Sequence, residues 1–146
     1  NLHINQILNK SVIPAIIDKN IFTQAQQQAE LLAKKLDYIG TMCVEYFIDE
    51  KNNLLLNEIA PRVHNSGHLT INTYNVSQFE NHIRAVCNLE KVALKKNYNA
   101  EMINIIGEEI NSYRVKSYSK NEFFFDYLKK EIKEKRKMGH LTTIKS

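Results

Sequence analysis

The sequence predicts an α+β fold, in which an antiparallel sheet with helices is followed by a small β-rich domain. Two apolar segments, 41–48 and 54–59, flank a short polar turn and therefore predict an antiparallel hairpin. Helical periodicity occurs on both sides of this hairpin, whereas strand-like apolar segments return near the C-terminus, at 102–107 and 138–144. A hairpin between helices, followed by late strands, is typical of this fold class.

The first third of the chain predicts strands and then one helix. Residues 3–17 alternate irregularly between apolar and polar, which predicts a strand pair or an edge segment. A helix is predicted over 23–36, with Thr23 as its N-cap and Gly40 beyond its end. Its apolar stripe consists of Ala25, Ala29, Leu32 and Leu36.

The middle of the chain predicts a second helix and then a junction. Ser77 and Glu80 have the spacing of a capping box, so a helix is expected to begin there. Its apolar residues, which we expect to face the core, are Phe79, Ile83 and Val86. The region 90–100 is rich in lysine and asparagine, which divides the chain into domains at 1–92 and 93–146. The stretch 121–137 leaves strand and helix both open.

The hairpin predicts that two glutamates lie side by side. If the turn consists of residues 50–53, Phe47 lies opposite Leu56 and Glu45 lies opposite Glu58. Opposed Cβ atoms are about 4.5–5.5 Å apart, so the two carboxylates repel unless a cation lies between them. Oxygen ligands on a stiff scaffold suit Mg²⁺. A register slip of one residue would separate the glutamates, and each would then be an ordinary solvated carboxylate.

A dense set of polar groups follows the second strand of the hairpin. The segment 54–56 predicts a buried strand, Pro61 ends its pairing, and Ser66 and Gly67 mark a loop. Loops that leave a rigid sheet commonly carry function. The candidate residues are Asn57, Glu58, Arg62, His64, Asn65 and Ser66.

Cysteine usage and hydropathy exclude several classes of protein. Cys43 and Cys87 lack a CxxC spacing and are predicted to be small buried residues rather than nucleophiles or a disulfide. No segment approaches the roughly 20 apolar residues that span a bilayer, and no signal peptide is visible. We therefore expect a cytoplasmic protein without a membrane partner.

The net charge of +4 raises the question of nucleic acid. Much of the excess lies between residues 129 and 137, behind the aromatic run 123–125. Glu131 and Glu134 dilute this charge, and consecutive aromatic residues do not share one strand face. A lysine and arginine cluster also suits a single phosphate group, so no nucleic-acid partner is predicted.

The segment 57–68, Asn-Glu-Ile-Ala-Pro-Arg-Val-His-Asn-Ser-Gly-His, resembles the signature of the 5-(carboxyamino)imidazole ribonucleotide synthase family of purine biosynthesis. The strand pair with Glu45 resembles the metal-binding end of an ATP-grasp domain. Residues 1–3, 77–85 and 136–140 resemble other elements of the family, in the family's order. The resemblance implies the C-terminal half of an ATP-grasp domain over 1–92, a small β-rich domain over 93–146, and a strand followed by a turn in 121–137.

The resemblance also implies that the chain is the C-terminal part of a longer enzyme. Asn1 falls within the family's Asn-x-His motif, and the loop that covers the phosphates, the nucleotide-binding lysine and the adenine pocket belong to the missing N-terminal region. We therefore expect the chain to be inactive alone and to need that region as a partner. A homodimer is left open.

The family's reaction implies a role for each candidate. ATP activates bicarbonate as carboxyphosphate, which delivers carbon dioxide to the exocyclic amine of 5-aminoimidazole ribonucleotide. The implied Mg²⁺ ligands are Glu45 and Glu58, and the implied ATP-binding residues are His3, Asn57 and Glu58. The implied catalytic residues are Arg62, His64, Asn65 and Ser66. The implied contacts to the substrate phosphate are Lys130 and Arg136.

Alternatives remain for several residues and for the function. His3 could be a solvated residue of the chain start, His68 could only hold the loop, and His82 is expected on the surface. Lys133-Glu134-Lys135 replaces an Arg-Pro-Gly element of the family, which leaves the contact of Lys130 open. Another ATP-grasp ligase or a non-catalytic binding fragment would also be consistent with part of these features.

Overall fold

A computed structural model describes residues 1–145 of the chain. In chain order, its strands are β1 (Leu2–Ile4), β2 (Ile7–Ile13), β3 (Cys43–Ile48), β4 (Leu54–Ala60), β5 (Asn99–Ile106), β6 (Glu122–Asp126) and β7 (Lys137–Lys145). Its helices are α1 (Lys19–Lys35), α2 (Thr70–Thr73), α3 (Gln78–Val86) and α4 (Glu109–Arg114), with a 3-10 turn at Asn65–Gly67. None of the helices in this described range is long and apolar enough to pass through a membrane.

The chain forms two compact units that alternate along the sequence. The five-stranded unit contains residues 1–14, 69–75 and the chain from Leu94 onward. The hairpin unit contains residues 15–68 and 76–93. The division at residue 93 stays a prediction about domains.

The five-stranded unit is an antiparallel sheet in the order β1-β2-β5-β7-β6. Its long central pair runs from Asn99 opposite Lys145 to Ile106 opposite Lys137. The core beside this pair contains Ile105, Ile110, Met138 and Leu141. The strand pair predicted near the N-terminus, the two late strands and the strand followed by a turn are all confirmed, whereas α4 was not predicted.

Helix α1 of the hairpin unit begins earlier than predicted. Its N-cap is Asp18, whose Oδ1 accepts a hydrogen bond from the backbone N–H of Asn20 at 2.7 Å. Thr23 lies inside the helix, where its hydroxyl donates to the carbonyl of Lys19 at 2.9 Å. The prediction of Thr23 as the cap was therefore wrong, because Asp18, five residues upstream, accepts a hydrogen bond from a free N–H group of the first turn instead.

Helix α3 has the predicted cap, but the face that it turns inward is not the predicted one. The hydroxyl of Ser77 accepts from the N–H of Glu80 at 3.2 Å, which confirms the cap. The predicted core residues Phe79, Ile83 and Val86 are exposed. Gln78 is buried and His82 half-buried instead, and both form hydrogen bonds within the unit. The side of α3 that faces the rest of the hairpin unit therefore carries polar residues with hydrogen-bond partners.

The hairpin of β3 and β4 has a register that changes at a bulge. Near the turn, Phe47 lies opposite Leu55, one residue from the predicted partner Leu56. A bulge between Tyr46 and Glu45 then makes Asn57 an extra residue on β4, so that Glu45 lies opposite Glu58. The predicted glutamate pair is confirmed, and the predicted Phe47 pair is wrong.

The turn explains the shift, because Asp49 organises a five-residue loop. Its Oδ1 accepts from the N–H groups of Lys51 at 2.9 Å and Asn53 at 2.8 Å. Asp49 therefore belongs to the turn rather than to β3. The prediction that residues 54–56 form a buried strand is also wrong in part, because Leu55 and Leu56 of β4 are more than half exposed.

Candidate functional site

The two paired glutamates at the bulge lie in different surroundings. The side chain of Glu45 is 11% exposed, whereas that of Glu58 is 49% exposed. Glu45 Oε1 is buried and has no hydrogen-bond partner among residues 1–145. Asn57 Nδ2 donates to the other oxygen, Oε2, at 3.5 Å, the long limit for such a bond. One carboxylate is thus buried and incompletely satisfied, and its neighbour is half-exposed.

The imidazole of His64 lies near both carboxylates. Its Nδ1 is 3.5 Å from Glu45 Oε1, and its Nε2 is 3.9 Å from Glu58 Oε1. A hydrogen bond of 2.8 Å joins Nδ1 to the hydroxyl of Ser66. The imidazole ring therefore lies within 4 Å of both carboxylates of the pair.

Gln78 fixes His64 in this place. Its Oε1 accepts from the N–H of His64 at 2.9 Å, and its Nε2 donates to the carbonyl of His64 at 2.8 Å. Gln78 Nε2 is also 2.7 Å from Nδ1 of His68, which agrees with His68 as a residue that holds the loop. Gly67 leaves the necessary space, because a Cβ there would lie 2.5 Å from Gln78 Oε1.

The start of β3 is fastened to α3 by a second set of contacts. The N–H of Thr41 donates to His82 Nδ1, and the Thr41 hydroxyl donates to the carbonyl of Gln78, both at 3.1 Å. Gly40 has φ +128°, and a Cβ at that position would lie 2.8 Å from His82 Nδ1. His82 is therefore a half-buried positioning residue, and its predicted place on the surface was wrong.

Cys43 lies beside the glutamate and the histidine. It is half-buried, and this burial raises the pKa of its thiol. The hydrogen bond with Ser66 lowers that pKa, and the charges of Glu45 and Glu58 raise it. Ligand atoms of Cys43, Glu45 and His64 all lie within 4.8 Å of one another. Cys87, by contrast, is exposed, so its predicted burial was wrong.

Arg62 and Asn65 lie on the same loop with different orientations. Arg62 is exposed, and its Nη1 donates to the carbonyl of Val63 at 2.9 Å. Asn65 begins the 3-10 turn, and its carbonyl accepts from the N–H of His68 at 3.1 Å. The structure brings the predicted candidates Glu45, Asn57, Glu58, His64 and Ser66 into one cluster. Gln78 and Cys43 also contact this cluster, and the sequence analysis did not include them among the candidates. No sequence signal marked Gln78, whereas the spacing of Cys43 and Glu45 on one strand face could have marked the cysteine.

The other candidates belong to the five-stranded unit. His3 lies exposed on the edge strand β1, opposite Leu8. Lys130 is exposed, and Arg136 Nη1 donates to the carbonyl of Glu131 at 3.4 Å. Lys129 has a pKa lowered by burial and by the charge of Arg136, and its Nζ donates to the carbonyl of Lys137 at 2.6 Å. A basic group is thus held beside Arg136.

Two family models match the chain. The ATP-grasp domain matches residues 1–79, and the phosphoribosylaminoimidazole carboxylase C-terminal domain matches residues 100–146. N5-carboxyaminoimidazole ribonucleotide synthase of Bacillus subtilis is 43% identical over 148 residues, covering 99% of this chain and 38% of the relative. The enzyme of the same name from Brucella melitensis is 41% identical over 145 residues, covering 99% of this chain and 40% of its own length.

Solved structures agree with these matches. N5-carboxyaminoimidazole synthetase from Staphylococcus aureus, complexed with ADP, superposes with a TM-score of 0.91 at 38% identity, over 100% of this chain and 40% of the other. The Aspergillus clavatus enzyme, in complex with ADP and 5-aminoimidazole ribonucleotide, has a TM-score of 0.91 at 32% identity, over 99% of this chain and 40% of the other. The chain therefore spans about two fifths of the length of the relatives it matches.

Proposed function

The chain belongs to the ATP-grasp family and is of the N5-carboxyaminoimidazole ribonucleotide synthase type, and from this membership we propose that it is part of an ATP-dependent carbon–nitrogen ligase of purine biosynthesis. The enzyme would use ATP and bicarbonate to carboxylate the exocyclic amine of 5-aminoimidazole ribonucleotide, releasing ADP and phosphate. Identity of about 40% over nearly the whole chain supports this reaction. The remainder of the nucleotide site would come from the rest of the enzyme, and we expect that enzyme in the cytoplasm.

The opposed pair Glu45 and Glu58 is the observation that carries the proposal. A buried carboxylate oxygen without a hydrogen-bond partner, such as Glu45 Oε1, costs free energy unless a cation comes near it. Mg²⁺ commonly takes one or two carboxylates and completes its shell with water and phosphate oxygens, so these residues fit it. Glu45 and Glu58 would hold the ion, and Asn57 would offer a neutral oxygen or contact the nucleotide. When bound, Mg²⁺ would neutralise charge on the nucleotide phosphates.

The loop after β4 supplies donors for the bicarbonate-derived anion. Arg62 uses Nη1 on the carbonyl of Val63, which leaves the other donors of its guanidinium for a carboxylate or phosphate. Gln78 holds both backbone groups of His64, and the hydroxyl of Ser66 forms a hydrogen bond with Nδ1 of its ring, so the ring is oriented before substrate binds. In this role His64 would donate a hydrogen bond or move a proton, with Asn65 and Ser66 as further donors.

The five-stranded unit would bind the phosphate end of the substrate rather than its reacting amine. Lys130 and Arg136 would contact the ribonucleotide phosphate, and His3 would contact the nucleotide. The exposure of Lys130 and Arg136 supports this role, because both retain donors for an anion.

The test is ADP release by the whole enzyme that contains this chain, measured with and without 5-aminoimidazole ribonucleotide and bicarbonate. Glu58→Gln should lower kcat by about 100- to 1,000-fold, the usual cost of losing one preorganised electrostatic group. Glu50→Gln, in the exposed hairpin loop, is the matched control and should keep the parent rate.

Two results would refute the proposal. ADP release that does not depend on the aminoimidazole ribonucleotide would indicate another ATP-grasp ligase. Absence of ATP turnover under all conditions would indicate a non-catalytic binding role. A normal rate for Glu58→Gln at limiting Mg²⁺ would refute the assignment of Glu58 as a metal ligand and would leave the proposed reaction unaffected.

A further inference from the structure

A thiol, a carboxylate and an imidazole converge on one side of the hairpin. Cys43 and Glu45 are two residues apart on β3 and so project from the same face of the strand. His64 comes from the loop after β4, where Gln78 holds its backbone. Ligand atoms from these three residues lie within 4.8 Å of one another inside the hairpin unit.

Two ligand atoms of this cluster have the separation found around one tetrahedral ion, and a ligand atom of Cys43 lies within 4.8 Å of those of the other two residues. Zinc bonds of about 2.0–2.3 Å place neighbouring ligand atoms roughly 3.3–3.6 Å apart. Glu45 Oε1 and His64 Nδ1 are 3.5 Å apart, and Glu45 Oε1 is the buried oxygen without a hydrogen-bond partner. The hydroxyl of Ser66, which is 2.8 Å from His64 Nδ1 and 3.8 Å from Cys43 Sγ, would rotate away as the ion enters.

The surroundings of His64 also suit a metal ligand. A histidine that binds metal through one ring nitrogen usually presents the other to a carboxylate, a carbonyl or water. With Nδ1 as the ligand, Nε2 lies 3.9 Å from Glu58 Oε1. Glu58 would then help to orient the ring from beside Nε2 and would not bind the ion itself.

The types of ligand distinguish this site from the magnesium site. Mg²⁺ takes oxygen ligands, whereas thiolate and imidazole select zinc and related ions. We propose that Cys43, Glu45 and His64 form a three-ligand site for a thiophilic divalent ion, zinc above all, with water in the fourth position. Because Glu45 serves both sites, zinc excludes magnesium. The zinc site does not depend on the proposed function, whereas the exclusion of magnesium by zinc rests on it.

The test begins with titration of the chain by Co²⁺ and Zn²⁺. Co²⁺ should produce the near-ultraviolet absorption of a thiolate–cobalt bond, and Zn²⁺ should abolish it. Cys43→Ser should lose this absorption and weaken zinc binding by at least about tenfold, since even second-shell changes cost that much. Cys87→Ser, at the other cysteine of the same unit, is the matched control and should behave like the parent.

Alkylation of the unmodified chain gives a second measurement that does not depend on variant folding. Zinc should slow the reaction of Cys43 with iodoacetamide and leave the exposed Cys87 unaffected, as resolved by peptide mass spectrometry. Equal protection of both cysteines, or the same zinc affinity in Cys43→Ser as in the parent, would overturn the site. Added Mg²⁺ should raise the apparent Kd for zinc. Zinc binding that ignores Mg²⁺ would refute the shared role of Glu45 and leave the zinc site standing.

Discussion

Replacing Gln78 by methionine should lower the free energy of unfolding of the hairpin unit by about 3 kcal/mol. The hydrogen bonds of this side chain include those of 2.9 and 2.8 Å to the backbone of His64 and one of 2.7 Å to His68 Nδ1. Each such bond is worth about 0.5–1.5 kcal/mol net, and three of middle value give the estimate. Methionine nearly preserves volume and helix propensity, so the loss reports hydrogen bonding rather than a cavity.

The assay is urea unfolding followed by far-ultraviolet circular dichroism. Helices α1 and α3 of the hairpin unit have 17 and 9 residues, against 4 in α2 and 6 in α4, so the helical signal reports mainly on this unit. Gln28→Met, at an exposed position of α1, is the matched control and should change stability by less than about 0.5 kcal/mol.

The outcome that refutes this reasoning is a loss below about 0.5 kcal/mol for Gln78→Met. Gln78 would then be replaceable by water at the backbone of His64. The loop would have to owe its position to contacts of its own residues. A loss as large in Gln28→Met would show that a glutamine-to-methionine change lowers stability by itself, without the loss of these hydrogen bonds.

Two further predictions concern the anion contacts and the acid stability. In the whole enzyme, Arg62→Ala should lower kcat, whereas Arg136→Ala should raise KM for 5-aminoimidazole ribonucleotide with kcat nearly unchanged; an unaltered KM together with lost RNA retention would assign Arg136 to nucleic acid. The hydrogen bond from Arg114 Nε to Asp126 Oδ2, at 2.7 Å, lowers the pKa of Asp126. The ionised carboxylate therefore stabilises the five-stranded unit fully at pH values above the ordinary pKa of an aspartate. This stabilisation is lost as the pH falls through the lowered pKa of Asp126. Asp126→Asn should therefore show a lower Tm at neutral pH and a shallower decline below about pH 4, and parallel Tm curves for both proteins would contradict it.

The sequence predicted elements whose signals are local. The hairpin, the Ser77 cap and the late strands each depend on residues a few positions apart, and all are confirmed. The inner face of α3 could not be predicted in this way, because Gln78 finds its partners 14 and 10 residues away and His82 finds Thr41 41 residues away. An apolar stripe predicts the buried face of a helix only where long-range hydrogen bonds do not orient the helix otherwise.

The candidate cluster was found from residue chemistry, and its arrangement was not. A carboxylate pair and a polar loop were visible in the sequence, but the place of the His64 ring near both carboxylates depends on the fold of the loop. Cys43 was missed because a single cysteine in an apolar strand predicts packing. Cys43 becomes a potential ligand only because the loop after β4 brings His64 to Cys43 and Glu45.

The bulge at Asn57 separates the hairpin into two halves with independent alignment. The Asp49 turn determines which residues meet from Ile48 to Tyr46, and the extra residue on β4 then resets the alignment for Glu45 and beyond. A substitution that alters the turn can therefore be absorbed at Asn57 before it reaches the carboxylates. Substitutions in the distal loop should therefore leave Glu45 opposite Glu58, whereas an insertion or deletion beside Asn57 would shift Glu58 directly.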